Sequence, residues 1–105
     1  MTHEEIYEKF GSRKKVTARN MFGSKGLFIN GNCFMALMKE AILLRLDEKG
    51  QNMAMKLKGS KYFDPRNTGK GMKNWITIPF DAVDKKCEAI VEEAFRYVSA
   101  LEPKK

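Results

Sequence analysis

Three glycines, Gly23, Gly26 and Gly31, and a lone Lys25 stand among large apolar side chains in the stretch MFGSKGLFINGNCF, Met21 to Phe34. Glycine beside lysine raises phosphate binding as a chemistry, because glycine lets backbone N–H groups approach an anion closely. The context argues otherwise. Gly23-Ser24-Lys25-Gly26 has the G-x-x-G spacing of an RNA-clamping KH loop, but that loop joins two helices and both flanks here are strand-like. There is also no G-x-x-x-x-G-K-[ST] pattern and no following helix N-terminus to receive a phosphate. The segment Gly23 to Gly26 therefore reads as a backbone bend or bulge, with glycine where the chain needs positive φ.

The other reactive side chains are sparse. His3 is the only histidine and falls in the first turn of a terminal helix, so neither a catalytic triad nor a histidine-rich metal site can be assembled. No catalytic residue, metal ligand or cofactor is expected. Cys33 and Cys87 fall on core faces, where cysteine acts as a small hydrophobe. Glu88, Glu92 and Glu93 read as a solvated helix face, with Glu92 and Arg96 spaced for an i,i+4 pair. The densest charge is basic: Lys56, Lys58, Lys61, Arg66, Lys70 and Lys73 against the single acid Asp64. These six are the candidate nucleic-acid contacts, and a solvated loop explains them as well.

Alternating and helical periodicities position these residues. Thr2 with Glu5 forms a capping-box pattern, and Ile6 and Phe10 give one apolar stripe before Gly11. β-like residues begin at Val16. Asn30-Gly31 between apolar runs predicts a type I′ hairpin, because both central residues of that turn need positive φ. This sets Ile29 opposite Asn32, Phe28 opposite Cys33 and Leu27 opposite Phe34. A second tight turn at Lys39-Glu40 sets Leu37 opposite Ile42, Met35 opposite Leu44 and Cys33 opposite Leu46. The expected inner face is Phe28, Cys33, Met35, Leu37, Ile42, Leu44 and Leu46. Leu27, Phe34, Ala36, Met38, Leu43 and Arg45 point the other way.

That outer face is unusually apolar. Leu27, Phe34, Met38 and Leu43 are the candidate partner surface, for which a twofold homodimer is the simplest solution unless the N-terminal helix crosses over and buries them. Asp47 caps a second helix ending at Gly59. The lysine-rich loop follows, with a short strand around Tyr62. Trp75 to Pro79 form a last strand, closed by a residue with no amide to donate. Asp81 then caps a long helix with apolar positions Val83, Cys87, Ile90, Val91, Ala94, Val98 and Leu101.

The 105 residues suit one domain, residues 1–105, with enough core to fold without disulfides or metal. Hydrophobic residues at 43% and charged residues at 31% exclude intrinsic disorder. The first ten residues are acidic and amphipathic where a secretory signal is basic then apolar, and runs such as CFMALM are too short to cross a bilayer. The expectation is a cytoplasmic protein with reduced thiols and no membrane contact. A formal charge of +7 favours acidic partners, nucleic acid among them.

Arg19-Asn20-Met21-Phe22-Gly23, Gly26-Leu27-Phe28, Gly31, and Phe34 with Ala36 resemble the opening of the TfoX N-terminal domain family. So do Leu44 to Asp47 entering a helix, Tyr62-Phe63, and Trp75-Ile76-Thr77-Ile78-Pro79 before a final helix. The resemblance covers nearly the whole chain. It implies an α+β fold, a two-layer α-β(3)-α-β(2)-α arrangement with an antiparallel sheet similar to secretion chaperones, and it implies no catalytic residues. Members of the family include activators of competence genes that work alongside a cyclic-AMP receptor protein and carry a second, C-terminal domain. The expected function is thus a non-enzymatic regulatory or protein-interaction module with a transcription regulator as partner. The alternatives are a direct nucleic-acid binder using residues 56–73, and a small-ligand binder or enzyme using a pocket beside the sheet.

Overall fold

The computed structural model describes residues 3–21, 24–64, 74–83 and 85–101. Helix α1 (His3–Gly11) buries Ile6 and Phe10, one turn apart, and carries Glu4 and Glu5 in its first turn, where the helix dipole favours negative charge. Four strands follow: β1 (Val16–Met21), β2 (Ser24–Ile29), β3 (Asn32–Leu37) and β4 (Ala41–Arg45). After α2 (Glu48–Ala54) come β5 (Lys61–Tyr62), β6 (Trp75–Pro79), a single 3-10 turn (Phe80–Ala82) and α3 (Lys85–Ser99). The six strands form one sheet in the order β1-β2-β3-β4-β6-β5, antiparallel throughout. The fold is α+β. It has four strands before α2 where the resemblance implies three, since the β-like stretch from Val16 to Ile29 folds as two strands with Met21 opposite Ser24.

Both hairpin turns form as the sequence requires. Asn30 and Gly31 have φ of 54° and 80°, and Ile29 pairs with Asn32 and Phe28 with Cys33. The Met38 amide donates to the Ala41 carbonyl at 2.8 Å, closing the turn at Lys39-Glu40, and Met35 faces Leu44 while Leu37 faces Ile42. Between these correct pairs lies an irregularity that periodicity alone does not show. The register slips between Leu27 and Phe28, so that Leu27 faces Met35 and not Phe34. A bulge of this kind sets two residues of one strand against one of its neighbour and changes which face they reach.

The slip exchanges four residues between faces. Leu27 and Phe34 turn to the side that carries the helices and are fully buried there in the main core. Phe28 and Cys33 turn to the other side, with Ala36 and Leu43. Cys33, Ala36 and Leu43 are buried, yet they stand apart from that core. The expected assignment is inverted at those four positions, while Met35, Leu37, Ile42 and Leu44 keep the face their spacing indicates. Gly26 is also corrected. It is a buried strand residue between Arg19 and Ala36, outside the left-handed region, and Gly23 lies outside the described residues.

The helices lie on the Leu44 side. Phe34 meets Phe95 of α3 edge-on at 5.3 Å and Phe10 of α1 at 6.5 Å, so one aromatic group joins both helices to the sheet. Cys87, Ile90, Val91, Ala94 and Val98 form the buried stripe of α3. That helix starts at Lys85 and not at Asp81, which sits in the preceding 3-10 turn. Asp47 caps α2 through the Gly50 amide at 2.9 Å, but the helix stops at Ala54 and the chain turns on to Gly59 with φ of 83°. Thr2 of the expected capping box lies outside the described residues.

The face inversion predicts an order of stability losses. Phe34→Ala removes a fully buried ring and is expected to cost about 3–5 kcal/mol in urea denaturation. Phe28→Ala removes a half-buried one and is expected to cost about 1 kcal/mol. The reverse order contradicts the bulge.

Candidate functional site

No described helix packs on the second face of the sheet, and its character comes from the strands alone. Not one Asp or Glu occurs in the six strands, whereas Arg19, Lys25, Arg45 and Lys61 do. The helices carry seven acids, Glu4, Glu5 and Glu8 in α1, Glu48 in α2, and Glu88, Glu92 and Glu93 in α3, while Glu40 and Asp64 lie in connections at the edge of the sheet. At one end of the sheet, cross-strand pairing sets Thr17 beside Phe28, Phe28 beside Cys33, and Arg45 beside Trp75. The Arg19 guanidinium lies 5.5 Å from the Phe28 ring centre and that of Arg45 5.7 Å from the Trp75 ring centre. Thr17 and Arg19 are exposed, and Phe28, Arg45 and Trp75 are half-buried. Further along the same face Ala36, Leu43 and Thr77 are shielded, so the accessible strip is Thr17, Arg19, Phe28, Arg45 and Trp75. Arg45 Nε is buried with no hydrogen-bond partner.

The basic residues expected to act together separate. Lys56, past the end of α2, lines a cavity of about 300 Å³ with Met53, Leu57 and, from α3, Lys86, Ala89 and Ile90. Lys61 is in edge strand β5 and lines a cleft of about 470 Å³ beside the sheet with Met38, Lys39, Glu40, Phe63, Asp64 and Thr77. Lys58 is exposed in the turn between them, and Arg66, Lys70 and Lys73 lie outside the described residues. The apolar partner surface does not assemble either. Leu27 and Phe34 are enclosed by the chain's own helices, Leu43 is 1% exposed on the opposite face, and only Met38 is half-buried at a cleft edge.

The remaining candidates have structural partners. His3 stacks on Phe80 with ring centres 3.6 Å apart. Cys33 donates to the Met35 carbonyl at 3.4 Å, and burial pushes its thiol up to about 11 despite that bond and the nearby Arg45 charge. A thiol so placed is almost wholly protonated at neutral pH and a poor nucleophile. Cys87 is fully buried. Among the described residues no group of three or more His, Cys, Asp or Glu side chains could hold a metal ion, and no described helix is long and apolar enough to cross a membrane.

The acids of α3 tie that helix to its neighbours. Arg13 Nη1 and Nη2 donate to the two carboxylate oxygens of Glu92 at 2.6 and 2.7 Å, with the guanidinium 4.3 Å from the Phe10 ring centre and 4.7 Å from that of Phe95. Lys9 pairs with Glu88, and Lys49 with Glu93 at 3.2 Å. Glu92 therefore serves α1, and Arg96 pairs with Glu93 at 3.7 Å in place of the expected Glu92. The bond from Arg13 holds the Glu92 carboxyl below its ordinary range.

Sequence reasoning passed over Arg19, Phe28, Arg45 and Trp75 as a group. Their signal was present as cations and aromatics inside strands that lack acids, but the unseen bulge assigned Phe28 to the core. Helices on one face of a single antiparallel sheet, with a basic and aromatic strip on the other, define a two-layer α+β domain. The chain matches the family model of the TfoX N-terminal domain over residues 8–96 and belongs to that family, which is not known as a family of enzymes. No curated protein and no solved structure matches it.

Two measurements check the electrostatics. Cys33 and Cys87 are expected to resist Ellman's reagent in the native protein at neutral pH and to react promptly in denaturant; fast reaction of a native thiol contradicts the burial. The carboxyl of Glu92 has a lower pKa folded than unfolded. Its contribution to stability is thus complete above the ordinary carboxylate range and lost as pH falls through the folded value. The melting-temperature gap between the wild type and Glu92→Gln is expected to be widest near pH 7 and to close between about pH 5 and about pH 3. A constant gap places the effect elsewhere.

Proposed function

We propose that the protein is a non-enzymatic regulatory module that acts by holding a protein partner in the groove between α2 and α3. The observation that carries this reading is the composition of that groove. Met53, Leu57, Ala89 and Ile90 supply an apolar floor, and Lys56 and Lys86 stand at its sides. Methionine adapts its shape to different apolar partners, and a groove between two helices suits the apolar face of a third. The flanking lysines select a partner helix whose polar edge is acidic. Partnership with a transcription regulator is the role that family membership suggests for such contact.

The reading is tested by affinity capture from nuclease-treated bacterial extract with the wild-type protein and with the Lys56→Glu/Lys86→Glu variant. The captured regulator is expected to bind through an acidic amphipathic helix and to lose at least tenfold in affinity for the variant. Both substitutions are at exposed positions, and the variant's circular dichroism spectrum and melting temperature are measured beside the capture so that a change in folding is told apart from loss of the contact. Equal capture by both proteins overturns the groove as the docking site.

A further inference from the structure

We propose that the end of the sheet face on which no described helix packs, formed by Arg19, Phe28, Arg45 and Trp75, is a binding site for single-stranded nucleic acid. The inference is independent of the α2–α3 groove, which lies on the opposite layer. Four features of the strip support it. The first is charge: the strands carry no Asp or Glu and place Arg19, Arg45 and Lys61 on this face, and the acids Glu40 and Asp64 line the cleft at its other end, beside Thr77, so a polyanion at the Arg19–Trp75 end meets no repulsion from the strands. The second is the pairing of each aromatic ring with a guanidinium, Arg19 with Phe28 and Arg45 with Trp75. Bases stack on aromatic rings and on guanidinium planes alike, and phosphates pair with the same guanidinium groups.

The third feature is an unsatisfied donor. Arg45 Nε is buried without a hydrogen-bond partner, and a donor left in that state is costly until an acceptor arrives. A phosphate or base oxygen that draws the half-buried Arg45 side chain outward brings an acceptor within reach of that donor. The fourth is length. Phe28 in β2 and Trp75 in β6 are separated by three strand steps, β2 to β3 to β4 to β6. That is about 14 Å at the usual strand spacing. A strip of this length accommodates two or three bases, the number that sheet-stacking RNA-binding modules hold.

Geometry and charge together favour a single strand over a duplex. Stacking on a sheet needs unpaired bases, whereas duplex readout needs a helix or ribbon that enters a groove. Helix α1 carries three glutamates and one lysine, and the acids of α3 match its bases in number, so neither offers a phosphate backbone a basic surface.

Trp75 is the only tryptophan in the chain, so its fluorescence reports directly on the proposed site. The experiment titrates the protein with a twelve-nucleotide oligothymidylate, reading Trp75 emission and the anisotropy of a labelled copy of the oligonucleotide. A duplex of equal length and poly-glutamate serve as competing probes. The expected result is saturable quenching of Trp75 by the single strand, with duplex and poly-glutamate at least tenfold weaker. With two phosphates neutralised, the slope of log affinity against log salt is expected near about −1.4. Arg19→Gln is expected to weaken binding at least fivefold and to flatten that slope, and because Arg19 is exposed it leaves folding intact. Phe28→Ala is expected to weaken binding at least fivefold, whereas Trp75→Phe, read by anisotropy, retains it. Lys56→Glu/Lys58→Glu is expected to change it less than twofold. The proposal is overturned by absent quenching at 100-fold excess oligonucleotide in low salt, or by equal or tighter binding of duplex or poly-glutamate. Affinity unchanged in Arg19→Gln, or lost only in Lys56→Glu/Lys58→Glu, overturns it as well.

Discussion

One extra residue in a hairpin governs this domain. Between Asn30-Gly31 and the Lys39-Glu40 turn, β3 holds one residue more than the Leu27/Phe28 step it faces on β2, and that slip decides which side of the sheet Phe34 enters. Because Phe34 turns toward the helices, its ring joins Phe10 and Phe95, and α1 and α3 settle on either side of a shared aromatic anchor. Because Phe28 turns away, the other face keeps an aromatic ring at its accessible end. A sheet with perfect alternation at this point would put Leu27 and Phe34 on the face without described helices and leave the helices to pack against Phe28 and Cys33. Bulges also increase local twist, which suits a sheet that wraps around a helix layer on one side only.

Charge is divided along the same boundary between layers. The carboxylates of α3 face cations from α1, from the turn that follows it and from α2: Glu88 with Lys9, Glu92 with Arg13, Glu93 with Lys49. Partly exposed pairs of this kind add little stability each. The fork of Arg13 on Glu92, laid beside the Phe10 and Phe95 rings, fixes the orientation of α1 on α3 more than it strengthens the fold. With three acids of α3 paired in the helix layer and none in the strands, Arg19 and Arg45 give their end of the sheet face a basic character. A domain this small thereby has two chemically distinct surfaces: an apolar groove flanked by lysine between α2 and α3, and a strip of arginine and aromatic rings on the sheet. The two surfaces lie on opposite layers, so neither needs to be vacated for the other to be used.

Local chemistry was the legible part of the sequence. The positive φ demanded by Asn30-Gly31, the Asp47 cap, the missing amide of Pro79 and the 3.6-residue stripe from Cys87 to Val98 each depend on residues adjacent in the chain, so the alternation of helix and sheet segments and the pairs Phe28–Cys33, Met35–Leu44 and Leu37–Ile42 could be read directly, whereas the division of Val16 to Ile29 into two strands could not. The resemblance carried by Arg19 to Gly23 and by Trp75 to Pro79 identified the family for the same reason, since those motifs are contiguous. The candidate site was legible only in its ingredients. Lys56, Lys58 and Lys61 are near neighbours in sequence, yet Lys56 turns toward α3 and Lys61 enters the sheet edge; proximity along the chain says nothing about the element on which each lysine ends.

By itself, then, the sequence determined the element types, the hairpin turns and the family. Only the tertiary structure decided which face each residue occupies from Leu27 to Phe34, which acid of α3 meets which cation, and that Arg19, Phe28, Arg45 and Trp75 share one strip. The physical reason is that a bulge is chosen by packing. Leu27 and Phe34, like Phe28 and Cys33, are apolar enough for either face, so their pattern favours neither. The choice falls to the volume that Phe10 and Phe95 leave between two helices, and those rings lie far from Phe34 in sequence.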